Sequence, residues 1–334
     1  MFRKLLLPIV LILALASSAC NSTPPTPAPT VASGGASATD AATQEPTAAP
    51  AITPTPSIVL SDGLDRRVEL YEPAQRIVSL APSNTEILFA IGAGSQIVGR
   101  DDFSDYPEEA KNVQSIGSTY GDLNTEAIVA LEPDLVLAAE INSPEQVKTL
   151  EDLGLTVYWL GNPQDFPGLY DNLALVGVLT GREEETAALN DTLVARVNGV
   201  AEKLYGSGQR PKVFYEVDGS DPTKPWTTGP GTFIATMIAL AGGDNVGSVL
   251  VDQYAQISSE ELIRQNPEYI LLGDSAFGVT PESIGQRAGW DQIAAVKNKQ
   301  VYAFDDNLAS RPGPRLVDGL ETMAKILNPT ITFP

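Results

Sequence analysis

The side chains able to do chemistry are unevenly supplied in this sequence. It holds no histidine, and its single cysteine is Cys20. Without histidine neither a Ser-His-Asp nor a Cys-His arrangement can form, and no G-x-S-x-G turn presents a serine nucleophile. With neither residue type past position 20, a tight zinc or copper site is not expected. Asp101, Asp102, Asp218 and Asp221 could touch a hard cation but lack EF-hand spacing. The glycine pairs Gly92/Gly94 and Gly229/Gly231 complete neither a dinucleotide nor a P-loop pattern and read as turns. Sequence leaves open a carboxylate pair of the kind glycosidases use. What it does offer is binding chemistry: Tyr106, Tyr120, Trp226, Tyr254 and Arg311 fall in or beside segments that read as loops. Tyrosine and tryptophan join a flat apolar ring to one polar handle. A rim of such groups suits a large, flat or amphipathic ligand.

Those residues need a scaffold, and its centre is residues 181–205. Leu189, Leu193, Val197, Val200 and Leu204 fall on one helical face, with Asp191, Asn198 and Glu202 opposite. Glu183, Glu184 and Glu185 occupy the first turn, where negative charge suits the helix dipole. A helix over the whole segment spans about 37 Å. A similar pattern stands on either side of it. Asn124, Glu126 and Pro133 precede the apolar run 135–137, and Ser258, Glu260 and Pro267 precede 269–271. Each reads as polar cap, glutamate, short helix, proline and strand, which predicts two similar α/β lobes joined by one long helix. Helix-proline-strand units also recur in unrelated α/β chains.

Further units fill the lobes. A hairpin is expected over 57–70, and strands over 76–80, 96–99, 135–138 and 155–160. A helix at 87–91 carries a capping box of Ser83 and Glu86, and another covers 143–153. After the long helix come strands at 212–217, 269–273 and 301–304. Helices follow at 232–241, 258–265 (with a box of Ser258 and Glu261) and 314–327. This β-α-β repetition predicts mostly parallel sheets flanked by helices. Ligands of such sheets sit outside the carboxyl ends of the strands, here the loops 81–86, 101–107, 117–122, 218–231 and 305–313.

The 334 residues divide as a leader (1–20), a tether (21–56), an N-terminal lobe (57–180), the linking helix (181–205) and a C-terminal lobe (206–334). Net charge is −21, and Arg3, Lys4, Asp40 and Glu45 cancel within residues 1–56, so all of it belongs to the folded part. That excess argues against nucleic acid or an anionic membrane surface as partner. The leader has basic Arg3 and Lys4, an apolar run too short to span a bilayer, and small residues at 17–19. Cys20 follows at once and resembles the lipidated cysteine of a bacterial lipobox, although Ser17 stands where leucine is usual. The tether is rich in Pro, Thr, Ala and Ser and cannot bury enough surface to order itself. As a coil it reaches about 35 Å.

The stretch 76–86 (RIVSLAPSNTE), the run 104–107 (SDYP), Asn124 to Glu126 with 133–136 (PDLV), and 310–315 (SRPGPR) together resemble a family. It is that of the periplasmic binding proteins of ABC importers for cobalamin, iron-siderophores and haem, and the resemblance covers about 76–327. It implies two lobes bridged by one rigid helix, a ligand cleft between them, and no enzymatic activity. It implies that Glu126 and Glu260 dock into basic pockets of a permease that works with an ATPase. Tyr106, Tyr120, Tyr254 and Arg311 fall where the cobalamin type lines its cleft, with Trp226 in the loop that should face it. Ala139 departs from that type, which would carry an aromatic there, so one wall is expected to be more open. Missing histidine rules out histidine ligation of haem iron or cobalt, not tyrosine ligation of haem. The expectation is a monomeric, lipid-anchored extracytoplasmic protein without a cofactor that captures a corrinoid. A ferric siderophore or haem is the alternative ligand, and a secreted hydrolase the alternative of another class.

Overall fold

The computed structural model describes residues 55–206, 208 and 210–333. Cys20, the expected leader and the expected tether up to residue 54 lie outside them.

A hairpin of β1 (Ile58–Ser61) and β2 (Arg67–Leu70) opens the described chain, its strands antiparallel in register. The elements β3 (Ile77–Ser79), α1 (Pro82–Ala90), β4 (Ile97–Arg100), α2 (Thr125–Ala130), β5 (Leu135–Ala139), α3 (Pro144–Asp152) and β6 (Val157–Leu160) follow. Their strands form one all-parallel sheet in the order β4-β3-β5-β6. Every residue of β3, β5 and β6 is buried, as expected of strands covered on both faces.

Two helices come next, α4 (Phe166–Thr180) and α5 (Glu183–Leu204), separated by Gly181 in a left-handed conformation with φ 67°. The second half runs β7 (Lys212–Asp218), β8 (Trp226–Thr228), α6 (Phe233–Leu240), β9 (Asp244–Asn245), β10 (Tyr254–Gln256), α7 (Ser259–Gln265) and β11 (Tyr269–Leu272). It closes with α8 (Pro281–Ile284), α9 (Ala294–Lys297), β12 (Val301–Ala303) and α10 (Leu316–Leu327). Here β7 lies parallel to β9 and β11, and β11 to β12, while β8 runs antiparallel to both β7 and β10. The fold is α/β: two lobes, each built on a mostly parallel sheet, with α5 between them in the chain.

The expected stripe on α5 forms. Leu193 and Val200 are buried, Leu189, Val197 and Leu204 half-buried, and Asp191, Asn198 and Glu202 exposed. One side of α5 meets α4, the other α10. Its Arg196 donates to Glu321 at 2.8 Å and to Asp318 at 2.6 Å, both on α10. One apolar core runs from Ile77, Leu137 and Leu160 through α4, α5 and α6 to Val213, Leu271 and α10. Within it Phe166 of α4 meets Phe233 of α6 edge-on, their ring centroids 4.9 Å apart. Close-packed interiors resist deformation, so this shared core makes the bridge rigid.

Two smaller cores cover the outer faces, one around Val78, Ile128 and Val136, the other around Phe214, Leu262 and Ile270. The repeated sequence pattern builds matching corners there. Asn124 caps α2 by accepting from the N–H of Ala127, and Ser258 caps α7 by accepting from that of Glu261. Leu123 and Ile257 precede those caps and belong to the same clusters as Ile128 and Leu262, the spacing of a hydrophobic staple.

Three local expectations need correction. The capping box of Ser83 and Glu86 does not form: α1 starts at Pro82, after Ala81, with no side-chain cap. Glu86 is then in the second turn, buried, and its carboxylate turns to two arginines of the C-terminal segment instead. At α7 half of the expected box forms, because the Glu261 carboxylate pairs with Arg264 and Gln265. The segment 218–231, expected to be all loop, contains β8.

Candidate functional site

The carboxyl ends of both sheets face a common cavity of about 580 Å³. From the first sheet come Ala81, Pro82 and Ser83 beyond β3, Phe103 and Tyr120 beyond β4, Ala139, Glu140 and Ile141 at the end of β5, and Asn162 beyond β6. Phe277 enters from beyond β11, and Asp306, Asn307, Ser310, Arg311 and Pro312 from beyond β12. This is the position that parallel-sheet topology favours for a ligand. A neighbouring groove of about 610 Å³ shares Tyr120 and Ile141 but takes no residue from the second lobe.

Apolar groups at the mouth are open to solvent. Phe277 is 90% exposed, Tyr120 62%, Phe103 48% and Ile141 45%. Phe103 and Tyr120 meet edge-on with centroids 5.2 Å apart, so each fixes the other's ring. Ala139, at the end of β5, lines the cavity beside them. Large exposed apolar side chains gathered at a concave site mark a surface awaiting a partner.

The polar side of the cavity is organised by Arg311. Its Nη1 donates to Asp105 at 2.7 Å and to Glu86 at 3.2 Å, and its Nη2 to the Phe103 carbonyl at 3.4 Å. Glu86 also accepts from Nε of Arg315 at 2.8 Å, and the Arg315 guanidinium lies over the Tyr106 ring, 3.9 Å from its centroid. Two arginines from the C-terminal segment thus meet two carboxylates from the N-terminal half. Burial works to raise the Asp105 pKa, but the hydrogen bond and charge of Arg311 overcome it and hold the carboxyl below its usual range. Beneath the loop, Asp101 is fully buried; it accepts from the Phe103 N–H at 2.9 Å and from the Ser104 hydroxyl. Burial pushes its carboxyl above the usual range against those bonds.

Of the expected ligand residues, Tyr120 and Arg311 line the cavity. Tyr254 stands beside it: partial burial, then the charges of Asp306 and Glu140, raise its phenol pKa. Tyr106 and Trp226 lie outside the lining. The first gives a ring face to Arg315, and the second pairs with Gln256 and Asp218 in the sheet. Sequence reasoning missed Phe103, Glu140, Ile141, Phe277 and Asp306. The rule about strand carboxyl ends would have found Ile141 and Phe277 had it been applied to the loops after 139 and 272. Glu126 and Glu260 are exposed, each the second residue of its helix. A buried carboxylate pair lies outside the cavity lining: Glu216 binds Arg287 at 2.8 Å, and Asp274 accepts from the Gly219 N–H at 2.8 Å.

Similarity to known proteins agrees with this geometry. Residues 77–308 match the family described as periplasmic binding protein. An uncharacterized ABC transporter substrate-binding lipoprotein of Bacillus subtilis, YvrC, is 33% identical over 279 residues, 81% of this chain and 86% of that protein. A cobalamin-binding protein of Halobacterium salinarum is 29% identical over 282 residues, 80% of this chain and 73% of that one. A possible iron-binding (periplasmic solute-binding) protein from Staphylococcus epidermidis superposes with a TM-score of 0.68 at 31% identity, covering 77% of this chain and 99% of that structure. The chain belongs to the periplasmic binding protein family.

Proposed function

We propose that this chain is the extracytoplasmic substrate-binding protein of an ABC importer, and that it captures cobalamin or a related corrinoid and delivers it to the permease. The observation that carries the reading is the aromatic-rimmed cavity between the two sheet ends, whose one lining arginine already meets two carboxylates. A corrin is broad, flat and amide-edged. It would lay apolar surface on Tyr120, Phe103, Ile141 and Phe277 and turn its amides to Arg311, Asn307 and Ser310. Binding of this kind is non-covalent. Tyr254 beside the cavity contributes a hydroxyl; Tyr106 and Trp226 act through Arg315 and the sheet rather than by touch. The cobalamin-binding relative supports the ligand class.

A ferric siderophore or haem is the second reading, favoured by the likeness to a possible iron-binding protein. An anionic chelate would want a free cation in the cavity, and the lining supplies Arg311 already paired. In the corrinoid reading Cys20 anchors the protein to the membrane by lipid, residues 21–56 serve as tether, and the monomer presents Glu126 and Glu260 to basic pockets of the permease. Cyanocobalamin absorbs visible light, so gel filtration tests the proposal simply. Co-elution of the red colour with protein at one-to-one stoichiometry is the expected result. Colour only at the small-molecule volume, with a ferric siderophore retained instead, keeps transport and removes the corrinoid.

A further inference from the structure

The charge inside the cavity is not balanced. Among the described residues lining it, the acidic and basic side chains are Glu140, Asp306 and Arg311. Arg311, Arg315, Glu86 and Asp105 neutralise one another, two charges of each sign held in direct contact. Among the described residues Glu140 and Asp306 have no cationic partner: the first accepts from the Asn162 N–H at 2.9 Å, the second from the Tyr215 hydroxyl at 2.6 Å. Neutral donors orient a carboxylate without cancelling its charge. Glu140 comes from the end of β5 and Asp306 from beyond β12, so a ligand between the lobes meets one carboxylate from each. Both carboxylates line the one cavity.

We infer that the cavity sorts its ligands by net charge: Glu140 and Asp306 exclude anions, and the substrates are corrinoids of zero or positive charge. This rests on the corrinoid reading and sharpens it. A ligand in a partly desolvated cleft keeps more of a Coulomb interaction than one in bulk water, and an added negative charge should weaken binding about tenfold.

The test holds the ring constant and varies charge. Calorimetry at low and high salt would compare cyanocobalamin (neutral), aquacobalamin (one more positive charge) and a monocarboxylic acid of cyanocobalamin made by hydrolysing one edge amide (one more negative charge). The expected order is aquacobalamin at least as tight as cyanocobalamin, and the acid about tenfold weaker, with the gap narrowing in salt. In a Glu140→Gln, Asp306→Asn double variant the gap should close while cyanocobalamin still binds, which also shows that the variant folds. Equal binding of acid and parent, or a gap that survives in the double variant, overturns the inference and leaves the corrinoid reading standing. If no corrinoid binds, that reading falls, and the charge rule is judged on a cationic trihydroxamate and an anionic tricatecholate iron chelate. Tighter binding of the anionic one, or of neither, overturns it.

Discussion

Arg311 shows how far one side chain's role depends on its neighbours. Sequence marks it as a ligand contact, yet most of its hydrogen-bonding capacity goes to Glu86, Asp105 and the Phe103 carbonyl. Its partner Glu86 sits 225 positions earlier in the chain, and a residue with capping spacing gives no hint of that bond. Removing one member of a buried ion pair strands the other, so Glu86→Gln should lower stability by about 3 kcal/mol in urea unfolding. Among the aromatics, Tyr120→Ala should weaken corrinoid binding about tenfold, since ring contact and buried area are both lost. Trp226→Ala should stay within about twofold of wild type. Glu216 and Asp274 make a separate prediction about pH. Burial, the largest influence, raises both carboxyls above their ordinary 4.5 and 3.8, although Arg287 opposes it. The native state therefore holds protons that the unfolded chain releases. The resulting stability is complete below the ordinary carboxylate range and is lost as pH rises toward the raised native values. Calorimetric melts against pH should show that downward contribution in wild type and a flatter curve in Asp274→Asn.

At the scale of elements, what the sequence made legible is whatever has a short-range cause. The α5 stripe is periodic, and its apolar positions are buried or half-buried as expected, with Thr186 buried beside them. Leu193→Ala should accordingly cost about 2–5 kcal/mol, and Asp191→Ala under about 0.5 kcal/mol, both read from urea midpoints. The corners of α2 and α7 were legible because cap, staple and proline are local signals. By contrast α4 escaped detection: Pro167, Gly168 and Gly177 disguise it, and with neighbours on several sides it has no clean polar face. The strands β8 and β10 are three residues each and take their identity from pairing with each other and with β7, which no local pattern shows. Of the site, the loops were legible and the rim only in part: Tyr120 stood out as an aromatic in a nominated loop, whereas Phe277 sits in a loop not considered.

The whole molecule is two lobes around one continuous core, acidic throughout. That core predicts little change in the radius of gyration on ligand binding, and a large compaction in small-angle scattering would contradict it. In the proposed function, the charge of −21 would give a basic permease face a long-range target. Reversing Glu126 and Glu260 to lysine should abolish ATP-driven uptake in reconstituted vesicles while leaving ligand affinity unchanged, since both lie outside the cavity. The most direct test of the central claim is a calorimetric titration of the protein with cyanocobalamin, beside the Tyr120→Ala, Phe277→Ala double variant. We predict one-to-one binding at micromolar affinity or tighter, weakened at least about tenfold in the variant. Wild-type affinity in the variant would contradict the cavity as the site, and no heat with either protein would contradict the corrinoid.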